Sequence, residues 1–231
     1  MATAIRFCEA EVSSFEYVNV ASNLAFLVSA VLGLRLARRR GLDRTFYLVE
    51  LALIVVFVGS VIFHSTQSWY GELLDEIPMS VLALCYLYTL DGVHRLTRPP
   101  WRTLTLALGS GGAVAGMAVY ILFRNHVLFT TLFTVQVVCP ALIACASGPS
   151  LGCVRTPWYA FLGLILVAKG IWEYEQHLWR SGKCPRSAFD PAYWAHAAWH
   201  VGSAAAHHAA IVYHGDLQVA AAGARSRVKV P

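Results

Sequence analysis

Charge is what this sequence lacks most. Asp, Glu, Lys and Arg make up only 13% of its 231 residues, about half the share of an ordinary soluble domain. The few that occur gather in short connecting segments rather than along helix faces. That distribution excludes a soluble globular domain, whose helices need a charged outer face. The net charge of +5 would point to nucleic acid in a soluble protein; here the arginines are read as topology determinants, and no nucleic-acid partner is expected. The chain also lacks the basic, apolar, small-residue order of a cleavable leader after Met1-Ala2-Thr3-Ala4-Ile5-Arg6. The first apolar run is therefore expected to direct insertion itself. No repeat, low-complexity tract or shift in composition divides the chain, so one domain over 1–231 is expected.

What the sequence has in abundance is apolar length, with 57% hydrophobic residues. Seven apolar runs stand at about 18–37, 46–66, 73–92, 102–123, 127–147, 158–179 and 194–213. Each is close to the roughly 20 residues that cross a bilayer as a helix. The expected fold is all-α, a seven-transmembrane helix bundle with no extramembrane domain. Pro99-Pro100, Gly148-Pro149 and Thr156-Pro157 punctuate the later junctions.

Counting Lys and Arg on alternate sides sets the orientation. With the N-terminus outside, the inner segments hold Arg35, Arg38, Arg39, Arg40, Arg44, Arg95, Arg98, Arg102, Arg155, Arg225, Arg227 and Lys229. The outer ones hold only Arg6, Arg124, Arg180, Lys183 and Arg186. A lumenal N-terminus and a cytosolic C-terminus follow. In this frame Ser60 and His64 end the second run, Asp75 begins the third, and His196 and His200 begin the seventh, all at one membrane level. Cys8 and Cys184 both fall outside, and an oxidising lumen there would permit a disulfide between them; two unpaired thiols are the alternative.

These residues carry the chemistry. His196 and His200 are four apart, on one helix face, a spacing suited to one metal ion. His64 could complete three nitrogen ligands with one open position, the donor set of a catalytic zinc site. The competing reading is that the histidines hydrogen-bond between helices as interior polar glue. Ser60, one turn before His64, could hydrogen-bond water or a developing oxyanion, or simply bond back to its own helix. Asp75, ionisable at membrane level, reads as a general base or water-orienting carboxylate, and Glu76 beside it as an interfacial carboxylate in headgroup water. The segment Cys8-Glu9-Ala10-Glu11-Val12-Ser13-Ser14-Phe15-Glu16 offers three carboxylates, a density that suits Ca²⁺ or else a solvated acidic approach to the membrane. Lys169, near mid-run, is expected to face the bundle interior with an anionic partner. Glu173 or Glu175 is placed to support the metal site or the acidic segment. His207, His208 and His214, deeper in the last run, have no matching cluster on another run and read as packing or interfacial residues.

Taken together, the sequence resembles the alkaline ceramidases, within a wider group of seven-span hydrolases that includes adiponectin-receptor-like proteins. The resemblance is carried by Cys8-Glu9, Glu16-Tyr17-Val18-Asn19 and Ser22-Asn23, by Gly59-Ser60 with Phe63-His64 and Thr66, by Leu74-Asp75-Glu76 with Pro78-Met79, and by His196 with Trp199-His200. It implies an integral membrane enzyme of the ER or Golgi that hydrolyses the amide bond of ceramide to a sphingoid base and a fatty acid; the alternatives are a related seven-span hydrolase of another lipid, a phytoceramide or a GPI-linked acyl chain, and a non-enzymatic membrane receptor or binding protein with a structural metal site. It further implies zinc held by His64, His196 and His200, an oxyanion role for Ser60, and proton transfer by Asp75 from the attacking water to the leaving amine. A lumenal calcium site would map onto Glu9 and Glu16, with the Phe7 carbonyl. Arg6-Phe7 stands where the family has an Asp-Trp pair, and Glu11 where it has an asparagine, so Glu11 joins the expected calcium ligands. Cys184 lies in the loop rather than at the end of the sixth run, where Trp179 stands.

Overall fold

The computed structural model describes Thr3, residues 5–97 and residues 102–228. Pro99-Pro100, Arg98 and Lys229, which entered the junctions and the charge count, lie outside the described residues. Helices α1 (Tyr17–Ser22) and α2 (Leu24–Arg40) form one rod, joined at the buried Asn23, whose Nδ2 donates to the Asn19 carbonyl at 2.8 Å. Helices α3 (Arg44–Thr66), α4 (Trp69–Thr97), α5 (Arg102–Phe123), α6 (His126–Leu151), α7 (Thr156–Arg180) and α8 (Ala195–Val228) follow. Short 3-10 turns at Cys8–Glu11 and Pro191–Trp194 precede α1 and α8. Among the described residues no strand occurs.

Local chemistry explains the ends. Asp43 accepts the Thr45 amide at 2.9 Å to cap α3, and Asn125 accepts the Leu128 amide at 3.2 Å to cap α6. Gly41 closes α2 with φ +63° after Arg38, Arg39 and Arg40, cations that suit a helix C-terminus. The seventh run is expected to end near residue 213, but α8 continues to Val228. Its last turns contain Ala220-Ala221-Ala222, strong helix formers. At 34 residues α8 is about 50 Å long.

The segments Tyr17–Arg40, Arg44–Thr66, Trp69–His94, Arg102–Phe123 and His126–Leu151 are long and apolar enough to cross a membrane. Helices α7 and α8 are long enough but too polar by composition. In α8 the polar residues are largely interior: His196, His200, His207 and His214 are all buried. Helix α8 is the hub, packed against α1, α2, α4, α6 and α7. Apolar clusters run along it: Phe26, Ala30, Leu53 and Val56 around Ala204, then Phe46 and Val49 around Ile211, then Leu90, Val93 and Ala144 around Tyr213 and Leu217. Helix α5 lies at the edge, against α4 and α6.

Deeper in the bundle His207 and His214 of α8 have partners on other helices, whereas the buried Nδ1 of His208 has none. His207 Nε2 lies 3.0 Å from Glu50 Oε2 of α3 and its Nδ1 2.8 Å from Tyr86 Oη of α4, while His214 Nδ1 lies 2.7 Å from Thr89 Oγ1. This corrects the expectation that no cluster on another helix answers them. Gly33 makes room for the buried Glu50, since a Cβ there would meet the carboxylate. Lys169 does pair with Glu173, at 2.8 Å, but one turn along its own helix and about a third exposed, with its ammonium 3.7 Å from the Trp172 ring. The interior placement expected for it does not occur, because the i, i+4 carboxylate and the indole face answer its charge at the helix surface.

Helices α3 and α4 approach each other closely. Pro78, inside α4, has no N–H and leaves the Leu74 carbonyl without its helical donor. Gly59, lacking a side chain, lets α3 settle directly against that carbonyl. The two motifs that flank this contact, Gly59-Ser60 and Leu74-Asp75, are thereby held side by side. A methyl at Gly59 would strike the Leu74 oxygen. Gly59→Ala is expected to lower stability by about 1–3 kcal/mol, read as a fall in the thermal unfolding midpoint in detergent, and Gly112→Ala, with open space around it, is expected to leave the midpoint unchanged.

Candidate metal centre

Two helices deliver the expected histidines to one point. His64 comes from the last turn of α3, and His196 and His200 from the first two turns of α8. All three are buried, and each offers a ring nitrogen within 4.8 Å of the other two. Ring centroids are 4.9 Å apart for His64 and His196, 5.1 Å for His64 and His200, and 4.5 Å for His196 and His200.

Each ring is held by its Nδ1. His64 Nδ1 lies 2.6 Å from Glu16 Oε2, and His196 Nδ1 lies 3.0 Å from Glu175 Oε2. His200 Nδ1 lies 2.7 Å from Ser22 Oγ. The Ser22 hydroxyl gives its own proton to the Asn19 carbonyl at 2.9 Å, so its oxygen accepts from His200. Carboxylate and engaged hydroxyl are acceptors, and they place the proton of each imidazole on Nδ1. Nε2, with its lone pair, is left for the centre. His64 Nε2 is buried without any hydrogen-bond partner, an arrangement that is expensive unless something electrophilic sits there. Three neutral nitrogens around an orphaned lone pair fit a zinc-type dication. The Nδ1 bonds alone would also suit interior polar glue between helices, and the orphaned Nε2 of His64 is what favours a metal ion over that reading.

The supports are themselves supported. Glu175 Oε1 accepts the Cys8 amide at 3.1 Å, and Cys8 is joined to Cys184 by a disulfide that spans 176 residues of sequence. Gln176 Nε2 donates to the Arg6 carbonyl at 3.1 Å, and the Glu16 amide to the His64 carbonyl at 3.2 Å. Phe7 stacks on His196 with centroids 3.7 Å apart and joins Ile5, Phe63 and Trp172 in an apolar wall. The N-terminal segment therefore closes the centre from outside the helices.

Ser60 is buried one turn before His64, and the Asp75 carboxylate of α4 lies close enough to interact with its hydroxyl. Both stand beside the triad, within electrostatic reach of His64. Sequence spacing sets these five residues at one level, and the fold brings them together.

The four residues named for calcium are not gathered. Glu9 is buried, its two oxygens accepting the Val18 and Asn19 amides at 2.8 and 2.9 Å; burial pushes its carboxyl up against the pull of those amides. At Glu16 burial acts the same way, but the hydrogen bonds from His64 and from the Asn19 amide group, the latter at 2.7 Å, outweigh it and hold the carboxyl below its usual value. Glu11 is exposed and accepts from Trp179 Nε1 at 3.3 Å, and the Phe7 carbonyl accepts the Ala10 amide. Among the described residues, Glu9, Glu11 and Glu16 do not bring three carboxylate oxygens, one from each, within 4.8 Å of one another. They serve instead as a helix-start clamp and as the orienter of His64.

Glu76 corrects another expectation. It is 4% exposed, not solvated, because on α4 it points about 100° away from Asp75, toward α5 and α6. Of the supporting residues, Glu175 was legible only as one of two candidates, and Ser22 only as part of a motif. No signal in the sequence pointed to His126, which meets Glu76.

A family model described as Ceramidase matches residues 2–230. The chain is 29% identical over 140 residues to alkaline ceramidase YPC1 of Saccharomyces cerevisiae, covering 56% of this chain and 44% of that one. It is 30% identical over 87 residues to an alkaline ceramidase of Arabidopsis thaliana, 36% and 34% of the two chains, and 34% identical over 73 residues to alkaline ceramidase 3 of Mus musculus, 32% and 27%. The matched stretches thus span less than half the length of each relative.

If Glu175 orients His196, Glu175→Gln, which keeps the shape but weakens the acceptor, is expected to reduce zinc affinity about 10- to 100-fold. Competition with a chromophoric chelator measures it, and an unchanged affinity would remove Glu175 from the site.

Proposed function

The chain belongs to the Ceramidase family, and on that premise we propose that it is a seven-span membrane amidase that hydrolyses ceramide to a sphingoid base and a fatty acid. The observation that carries the proposal is the buried triad of His64, His196 and His200 with its orphaned Nε2, set beside the Ser60–Asp75 pair. The relatives' names support the reaction class, and the geometry supports a hydrolytic centre.

Zinc is the ion proposed for the triad, where it would supply Lewis acidity to water and to the amide carbonyl. The protein's own groups do the rest. Asp75 accepts a proton as water attacks and delivers it to the leaving nitrogen, which cannot depart as an amide anion. Ser60 is coupled to that transfer. Its single proton is given to the Asp75 carboxylate at rest; once Asp75 is protonated, the hydroxyl is released to donate to the carbonyl oxygen as charge develops there. The pair thus switches from holding a base to stabilising an oxyanion in the same step.

A small apolar cavity of about 70 Å³, room for a few methylene groups of a lipid chain, lies along α4. Met79, one turn beyond Asp75 on the same face of α4, begins this cavity, lined further by Leu82, Ala83, Phe133, Val137 and Phe161. The Lys and Arg bias favours the centre at the lumenal ends of the helices, with the N-terminus lumenal and the C-terminus cytosolic. The Cys8–Cys184 disulfide suits that side, in an ER or Golgi lumen. Calcium stays outside the proposal, because the residues named for it are not gathered.

Purified protein supplied with a labelled ceramide is expected to release sphingoid base. Asp75→Asn is expected to keep zinc and lose turnover by about 10²-fold or more, and Ser60→Ala by about 10²- to 10³-fold in kcat with little change in KM. Turnover left intact in Asp75→Asn would contradict the assignment.

A further inference from the structure

A second group of potential ligands lies outside this centre. Glu72 and Glu76, four residues apart on one face of α4, meet His126, the first residue of α6. One donor atom from each lies within 4.8 Å of the others. Glu72 is fully buried and Glu76 is 4% exposed, while the His126 side chain is 12% exposed.

The hydrogen bonding of Glu76 and His126 is incomplete. Tyr120 Oη donates to Glu72 Oε1 at 3.2 Å and also stands next to Glu76. One hydroxyl has one proton, so it cannot satisfy both carboxylates. Glu76 Oε2 is buried with no donor, and His126 Nε2 is buried with no partner. His126 Nδ1 lies 3.0 Å from Glu76 Oε1, yet the two are not aligned as a hydrogen bond. Close, misaligned and unsatisfied donor atoms are the geometry of ligands turned toward a common point rather than toward one another.

We propose that Glu72, Glu76 and His126 form a second metal site, for a zinc-class dication held by two carboxylate oxygens and one imidazole nitrogen. Two carboxylates and one imidazole supply oxygen and nitrogen donors of the kind zinc accepts. The site is distinct from the triad. Trp172 stands in the apolar wall with Phe7 and Phe63 on the triad side and meets the His126 ring, centroids 5.7 Å apart, on the other. Its place in the fold gives the site a structural role. It joins the beginning of α4, which carries Asp75, to the beginning of α6, and so pins the α5–α6 pair that lies at the edge of the bundle.

A metal count tests this. Full-length protein in detergent is stripped with a chelator, reloaded with Zn²⁺, freed of excess and assayed by elemental mass spectrometry. Wild type is expected to hold two zinc ions per chain and His200→Ala one. His126→Phe keeps the ring that packs against Phe129 and Trp172 but removes the lone pair; it is expected to hold one, and the double variant none. Glu76→Gln is expected to match His126→Phe. The thermal midpoint of His200→Ala is expected to rise on adding Zn²⁺, and that of the double variant not to move. One zinc ion in wild type, retained in His126→Phe and lost in His200→Ala, would overturn the second site while leaving the triad in place. Two ions retained in both His126→Phe and Glu76→Gln would overturn it equally.

Discussion

An imidazole hydrogen-bonded through one nitrogen has its tautomer and ring plane fixed for the other, and three rings held in this way decide how one end of this bundle is built. Glu16 holds His64, Glu175 holds His196 and Ser22 holds His200. The three acceptors come from three different places: the segment before α1, the last turns of α7, and the end of α1. Orienting the rings therefore requires α1, α3, α7 and α8 to meet at one level. The disulfide from Cys8, whose amide is bound by Glu175, ties the same segment to the loop after α7. Burying two carboxylates beside histidines is tolerable because the oxygens that face the rings are met by N–H groups.

The second requirement is that Ser60 and Asp75 meet from different helices, and it is met by backbone rather than by side chains. Pro78 frees the Leu74 carbonyl, Gly59 admits it, and the residues that follow each, Ser60 and Asp75, come into register. The proline and the glycine thus set the approach of Ser60 to Asp75 through the backbone alone. The same stretch of α4 presents Asp75 to α3 and Glu72 with Glu76 to α5 and α6, so one helix serves two polar clusters on different sides.

How much of this was legible in the sequence follows from the range of each contact. His196 and His200 announce themselves because helical periodicity is local, and His64, Ser60 and Asp75 join them because run boundaries and charge bias set depth. The seven rods and their order follow from hydropathy, even where α7 and α8 are more polar than the rest. What periodicity does not reveal is which carboxylate faces which ring. Glu175 lies 21 residues from His196 and Ser22 lies 178 from His200, and nothing local connects them. Glu76 was misplaced for a simpler reason: adjacent residues on a helix point about 100° apart, and its neighbour's exposure says little about its own. His126 lay at the start of an apolar run with no motif around it. Glu9, Glu11 and Glu16 show the reverse case, in which three nearby carboxylates look like one site and fold into three separate roles.

The most direct measurement relates turnover to metal in the same samples. Protein stripped of metal, then given Zn²⁺ in steps, is assayed for sphingoid base released from ceramide while bound zinc is counted, with His64→Ala carried in parallel. Activity that rises with zinc to a plateau in wild type, and stays absent in folded His64→Ala at any zinc level, is the predicted result. Turnover that survives complete removal of metal, or that His64→Ala retains, would contradict a metal centre built on His64, His196 and His200.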